Sequence, residues 1–464
     1  MKHHIFIAPD GESSSHRYHS CVETFFRSFF QRLRFVFKGQ AVASILLIVA
    51  TLTALIWASL PNVSHYYHQL LSLKIGIHIA NFSIDKTFKS WINDFLLTLF
   101  FFYLGLEVKR ELLVGELANY SCFMLVLFAA LGGMLVPGLL FWLSNLHSGY
   151  QSAWGIPLST DTAFVLGILA CFRRKLPVGA FVFMAGLAII DDIIALLVIA
   201  LFYSHSLHMA MFAVVLGIIS FSLILNYCGV RQPIIYLMLG LFAWYFMDLS
   251  GIHGSIAGIL IALTVPARPE HGPLYATERL QNLVGDFKLR KIAKTCVFAD
   301  QQQHIILEDV RHTAGCATTP LQHWRTLLEI PVTYIVLPLF AFCNAGLQIN
   351  FPLIFDVFCH WMSLSIIFSL IVGKILGVIF FSKLSLWLHL GCLPKQTTFK
   401  HIACLSVISG IGFTMSLFIA MLSFEEGSYE LLLAKASIIV ASMIAAIMGI
   451  FILFCLNSSR RVLS

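Results

Sequence analysis

Charge is scarce in this sequence. Asp, Glu, Lys and Arg make up 11% of its 464 residues, against about a quarter in soluble globular domains. Apolar types make up 59%. That pairing excludes a large soluble enzyme, a disordered chain and a coiled coil. Paired cysteines are also missing. The 11 cysteines show no CxxC spacing, and Cys122, Cys171, Cys343, Cys404 and Cys455 lie inside apolar runs. They read as small buried hydrophobes rather than a disulfide framework. There is no GxxxxGK[ST] phosphate loop, which argues against direct use of ATP. No His/Glu metal motif or nucleophile pair stands out, so neither an enzyme nor a cofactor is expected.

What is abundant is long apolar sequence. A helical membrane span needs about 20 apolar residues. Twelve runs can be marked, near 41–60, 92–106, 121–143, 153–171, 178–202, 207–227, 233–249, 252–266, 327–345, 360–381, 400–423 and 431–456. The reading is an all-α polytopic membrane protein, with a cytoplasmic N-terminal segment 1–40, a twelve-helix domain 41–456 and a cytoplasmic tail 457–464.

The net charge of +7 maps onto loops rather than onto a nucleic-acid partner. Arg27, Arg32, Arg34 and Lys38 precede the first run. Alternate connections then carry Lys109/Arg110, Arg173/Arg174/Lys175, Arg231, the segment 267–326, and Lys383/Lys395/Lys400. Arg460 and Arg461 lie in the tail. The opposite connections lack Lys and Arg, except the first, with Lys74, Lys86 and Lys89. The positive-inside rule therefore places both termini in the cytoplasm. Phe25–Phe37 mixes aromatics with Arg and suits an interfacial amphipathic helix or a plain basic flank.

Two connections carry structure of their own. Ile75, Ile77 and Ile79 alternate, and Phe82 and Ile84 resume after Ala80-Asn81, which reads as a β-hairpin over about 74–85. Its free edges suit pairing with a second copy. The polar loop 267–326 has Leu280, Leu283 and Phe287 at helical spacing and reads as a partly helical insertion. Its His304, His312 and His323 lack metal-ligand spacing and read as solvated surface.

The few charges inside the runs are the informative ones, because an ionisable residue at mid-membrane costs about 2.5–3.5 kcal/mol on insertion scales. Asp191 and Asp192 lie mid-run in GLAIIDDIIALLVIALF. Adjacent helical residues point about 100° apart, so one carboxylate can face a cavity while the other meets a neighbouring helix. Their oxygens suit an alkali cation, and proton and cation would compete for them. Lys374, in SLIVGKILGVIF, needs a carboxylate or carbonyls as partner. Gly373 and Gly377 beside it permit close helix approach.

Asp161 sits in AWGIPLSTDTAFVLGI, where Gly155, Pro157, Ser159 and Thr160 weaken a helix. The eleventh run has a matching weak point at Gly410, Gly412 and Thr414. Two interrupted spans in corresponding halves point to a transporter site. If the two breaks cross, Asp161 offsets the positive helix ends and Lys374 the negative ones. Asp94, and the cluster Glu107, Lys109, Arg110 and Glu111, flank the second run and read as a cation funnel, a pH-sensitive gate or an interface-level ion-pair cluster. His253, in SGIHGSIAG, titrates in the physiological range if exposed, although a lone His is more often structural.

FFYLGLEVKREL, WGIPLSTDTAFVLGIL, LAIIDDIIALLVIALFYS, GIHGSIAG, LPLFAFCNAG, VGKILGV and SGIGFTMSLFIAMLSF together resemble the NhaA family of sodium/proton antiporters, in order, from about 41 to 456. The resemblance implies twelve helices, inverted repeats in spans 3–5 and 10–12, and two discontinuous crossing helices. It implies electrogenic exchange of Na⁺ or Li⁺ for H⁺ across a bacterial inner membrane, serving pH and sodium homeostasis. Asp192 then looks like the direct Na⁺ ligand, Asp191 a second carboxylate paired with Lys374, and Asp161 and Thr160 the helix-break residues. Asp94, Glu107, Arg110 and Glu111 match funnel and pH-response positions, and the hairpin matches a homodimer contact. Before span 9 the sequence departs from the family. LQHWRTLLEIP has Arg325 near the usual acidic position and Glu329 further on, so no pH profile is carried over. The rival readings are a sodium-coupled organic-anion symporter and a cation channel.

Overall fold

The computed structural model describes residues 40–79, 82–115, 119–173, 176–203, 208–269, 272–289, 301–348 and 350–461. The aromatic and basic stretch Phe25–Phe37 lies outside them, as does the turn Ala80-Asn81. The described chain is mostly helical, with a single two-stranded sheet. Among the described residues nine helices are long and apolar enough to cross a membrane, or ten if one bent pair counts as a span. The protein is thus a multi-pass membrane protein.

In chain order the elements are α1 (Gln40–Ser59), α2 (Ser64–Ser72), β1 (Lys74–Ile79), β2 (Phe82–Thr87), α3 (Phe88–Leu113) and α4 (Tyr120–Ser144). A 3-10 segment, Gln151–Leu158, leads into α5 (Thr162–Cys171), followed by α6 (Val178–Phe202) and α7 (Met209–Tyr227). Two shorter apolar helices follow, α8 (Pro233–Leu249) and α9 (Ser255–Thr264). Then come α10 (Pro273–Leu289), α11 (Gln301–Ala317), α12 (Pro320–Ala345), α13 (Phe351–Cys359), α14 (Trp361–Trp387), α15 (Phe399–Ile408), α16 (Phe413–Ser423) and α17 (Tyr429–Arg461).

The apolar runs coincide with these helices. Several helices extend beyond their hydrophobic windows through charged or capping residues, whereas the runs 153–171 and 400–423 are each interrupted within and α9 is shorter than its run. The run 92–106 becomes α3, and 360–381 becomes α14. The run 327–345 becomes α12, so the connector ends before 320 rather than at 326. Thr319 accepts a hydrogen bond from the Gln322 N–H, and Pro320 occupies the first turn, so capping starts the helix well ahead of its apolar part. Residues 273–289 and 301–317 of the connector are helical, and 290–300 lie outside the described residues.

The alternation of Ile75, Ile77 and Ile79 is realised as an antiparallel hairpin, Lys74 opposite Thr87 through Ile79 opposite Phe82. Side chains tie it to the bundle, among them Trp91, whose indole N–H donates to the Ile75 carbonyl, and Lys86. Lys86 Nζ donates to Asp94 and to Asp248, each at 2.7 Å, and lies over the Trp244 ring. Partial burial opposes the Lys86 charge, but the hydrogen bonds to Asp248 and Asp94 outweigh it and raise its pKa above the ordinary lysine value.

Exposed Ile45, Leu139, Leu201, Ile447 and Phe451 cover the outer faces, as lipid contact requires. Inside, α14 lies directly against α4. A Cβ on Gly377 would sit 2.1 Å from the Gly132 carbonyl oxygen, and one on Gly132 2.4 Å from the Gly377 carbonyl. Backbone touches backbone here, as small residues allow in membrane helices. Gly377→Ala must therefore push the helices apart. It is expected to cost about 1–3 kcal/mol, as overpacking typically does, seen as a lower melting temperature in detergent.

Candidate ion-binding site

Three helix irregularities place the polar groups at the centre of the molecule. The first is the break before α5. Ser159 is extended and Asp161 is the N-cap of α5. Pro157 and Gly155 belong to the 3-10 segment ahead of it, and the Gly155 N–H donates to the Tyr203 hydroxyl. The second is the break Ser409–Gly412 between α15 and α16, which are bent by 49°. The third is a π-helical stretch, Ser369–Gly373, ending one residue before Lys374. Such stretches re-aim side chains and are frequent at functional sites.

The two breaks are bonded to each other. Asp161 N–H donates to the Ile411 carbonyl at 2.6 Å, and the Ser416 hydroxyl donates to the Ile156 carbonyl. Glycine is required at this contact, since a Cβ on Gly410 would lie 2.8 Å from the Leu370 carbonyl oxygen. Gly412 is likewise closed in, with Ser416 Oγ 2.2 Å from a Cβ placed there.

Asp161 serves both helices. Oδ1 accepts from the Phe164 N–H of α5 and Oδ2 from the Thr414 N–H of α16, each at 3.0 Å. One buried carboxylate thus faces two helix N-termini, where an anion is stabilised. Lys374, expected to offset the negative helix ends, makes its direct hydrogen bonds to side chains. Its ammonium reaches Asp191 Oδ2 (2.6 Å) and Thr160 Oγ1 (3.0 Å) rather than the α15 carbonyls. Thr160 is the link instead, because its hydroxyl lies 2.9 Å from the Ser409 carbonyl and 2.7 Å from Asp191 Oδ2. A hydroxyl has one proton, so Thr160 donates to one of the two while accepting from Lys374. The shaft of Lys374 runs past Gly133 of α4, where a Cβ would sit 3.8 Å from Cδ.

Asp192 faces another way, as the 100° step requires. Its Oδ2 accepts from the Thr162 hydroxyl at 2.5 Å. Asp191, Asp192 and Lys374 are all fully buried. Oδ1 of Asp191 and Oδ1 of Asp192 have no hydrogen-bond partner among the described residues. A buried carboxylate oxygen without a partner is costly unless something charged or acidic is to be met there.

A cavity of about 870 Å³ leads toward this centre, with Thr162 among its lining residues and Glu107, Arg110, Glu111, Arg325 and Glu329 in its wall. Glu107 is gripped by two guanidiniums, through Arg325 Nε and Nη2 and through Arg110 Nη1, and Arg110 also donates to Glu111 at 2.7 Å.

The structure does not bring Asp94 or His253 to that cluster. Asp94 lies 13 residues from Glu107 along α3, about 20 Å at helical rise, and holds Lys86. His253 packs edge-on against Phe418 of α16. Sequence reasoning missed Thr162 and Ser409 as site residues and treated Arg325 only as a departure. For Thr162 the signal was its place one residue after Asp161 in STDTAF. For Ser409 there was none, since its carbonyl rather than its side chain is used.

Buried carboxylates and an ammonium at two touching helix breaks, approached by an ionic cavity, define a membrane transporter of small cations. Residues 34–453 match the family described as Na+/H+ antiporter 1. The chain is 39% identical to Na(+)/H(+) antiporter NhaA 2 of Psychromonas ingrahamii, over 90% of this chain and 87% of that one. It is 38% identical to an NhaA 1 of Shewanella denitrificans, over 90% and 92%, and 34% identical to an NhaA of Sulfurimonas denitrificans, over 89% and 92%. The chain belongs to the NhaA family of sodium/proton antiporters, whose members are transporters and not enzymes.

Proposed function

We propose that the protein exchanges Na⁺ or Li⁺ for H⁺ electrogenically across a bacterial inner membrane. The observation that carries this reading is the pair of unpartnered, fully buried oxygens, Asp191 Oδ1 and Asp192 Oδ1. They can take protons or help to coordinate a cation, but one occupant excludes the other. That exclusion is the chemical basis of exchange. Asp192 is assigned as the direct Na⁺ ligand, since the Lys374 ammonium is bonded to Asp191 instead. Na⁺ and H⁺ are cargo, and no cofactor is invoked.

In the proposed cycle the site, open to the cavity, releases protons and takes Na⁺ at Asp192 with help from Asp191. It then reopens on the other side, where protons displace Na⁺. With two protons per sodium, one net charge moves inward, and 100 mV supplies about 2.3 kcal/mol per cycle. The proposal includes twelve spans, with α8 and α9 as two of them, α5 and α16 as halves of crossing broken helices, inverted repeats, and both termini cytoplasmic. The domain division 1–40, 41–456 and 457–464 goes with it, as does a homodimer contact through β1 and β2. Glu107, Arg110 and Glu111 are assigned to ion entry and pH response, while Asp94 is reassigned to anchoring the hairpin.

The test is proton flux in vesicles. The purified protein is reconstituted with an imposed ΔpH, and a pH dye is followed as Na⁺, Li⁺ or K⁺ is added. Sodium-dependent dequenching is expected. Its absence at every pH from mildly acidic to alkaline would defeat the antiporter reading. Flux that needs an added organic anion would favour the symporter, and Na⁺ flux without proton movement the channel.

A further inference from the structure

Cys122 and Cys392 are far apart in sequence yet meet at one end of the bundle. Cys122 lies in the first turn of α4, and Cys392 in the connector between α14 and α15. Their Sγ atoms are 3.7 Å apart. The contact is held by backbone as well, because the Cys392 N–H donates to the Ser121 carbonyl at 3.2 Å. A Cβ on Gly391 would touch Leu125 at 2.9 Å. The same connector continues over the start of α6, where the Lys395 carbonyl would lie 2.5 Å from a Cβ on Gly179. The two cysteines thus sit where a short segment joins α4, α14 and the helix that carries Asp191 and Asp192. Cys392 is exposed and Cys122 partly exposed, so both are open to small reagents. The connection from α3 to α4 is short, which puts them at the same end of the molecule as Glu107.

We propose that Cys122 and Cys392 form a redox-modification site, in which peroxide closes the dithiol into a disulfide that staples this connector to α4. The Cys392 thiolate attacks a peroxide oxygen, the O–O bond breaks, hydroxide leaves and a sulfenic acid forms. The Cys122 thiol then gives up its proton and attacks that sulfur. The S–O bond breaks and the departing hydroxide is protonated to water. Two thiols lose two electrons, and one peroxide becomes two waters. From 3.7 Å the sulfurs need to close by less than 2 Å to reach disulfide bonding distance. Because α4 and α14 already touch backbone to backbone at Gly132 and Gly377, the staple joins parts fixed to each other. It adds stability and leaves exchange running. This last point rests on the antiporter reading, whereas formation of the bond does not.

The full chain in lipid nanodiscs is treated with hydrogen peroxide, digested without reduction and mapped by mass spectrometry. The expected result is a peptide pair joined through Cys122 and Cys392, with loss of maleimide labelling at both and a melting temperature raised until a phosphine reductant is added. Cys122→Ser and Cys392→Ser should each abolish the joined peptide and the shift while keeping sodium-dependent flux. Undiminished labelling of both thiols, or joining to other cysteines in their place, would overturn the site. Formation of the 122–392 bond with arrest of flux in active wild-type vesicles would overturn the claim that the stapled parts are mutually fixed.

Discussion

Asp192→Asn abolishes sodium-dependent proton flux while the protein still folds. The substitution is nearly isosteric, and the amide oxygen can still accept from the Thr162 hydroxyl that now bonds Asp192 Oδ2 at 2.5 Å. The packing of α6 against the break before α5 therefore survives. What disappears is the negative charge and the proton-accepting oxygen. An amide cannot take a proton at any pH the cell meets, and it holds a cation only as a neutral dipole. Loss of about 2.8 kcal/mol of cation–carboxylate attraction already weakens binding about a hundredfold. Flux is therefore expected to fall below detection, with the melting temperature held or raised, because burial of a charge has been relieved. A variant with wild-type flux would remove Asp192 from the role of direct ligand. A variant that fails to fold would show instead that the Asp192 charge supports the fold. Asp191→Asn is a different experiment, since it leaves the Lys374 ammonium facing an amide.

Much of the architecture was legible because a bilayer imposes two constraints that sequence displays directly. Spans must be long and apolar, and charge inside them must be rare. The run 178–202 matches α6 at both ends for that reason, while α12 begins before its apolar window because Thr319 and Pro320 start the helix. Asp161, Asp191, Asp192 and Lys374 stood out against a chain with little charge, and the structure brings all four to one centre. The pairing of Asp191 with Lys374 was carried by family resemblance, and the geometry agrees with it. What was not legible depends on backbone atoms and on distance along a helix. The Ile411 and Ser409 carbonyls leave no mark in a sequence. Nor does the sequence show that Asp94, one end of α3 away from Glu107, belongs with Lys86 and Asp248. Arg325 looked like a mismatch to a family pattern. In space it is the second cation on Glu107, which only the packing of α12 against α3 reveals.

Lys374→Ala tests the other half of the centre and is expected to cost stability first. The Lys374–Asp191 pair is wholly buried and 2.6 Å long. Removing one partner of such a pair costs about 3–5 kcal/mol, because the remaining charge is left without compensation. Thr160 loses its donor at the same time and can bond only Asp191 or Ser409. The expected outcome is a melting temperature lower by several degrees, together with altered or absent charge movement when vesicles are energised by a sodium gradient. The double variant Lys374→Ala/Asp191→Asn separates the causes. If the pair is what matters, the second change removes the orphaned carboxylate and restores most of the lost stability. The single costs then fail to add, as they should for residues in contact. If the two costs simply add, or if Lys374→Ala melts and moves charge like wild type, the pair is not the structural and electrical hinge of the site. Recovered stability without recovered charge movement would locate the electrogenic step on this pair, because the fold would then tolerate its loss and the transport cycle would not.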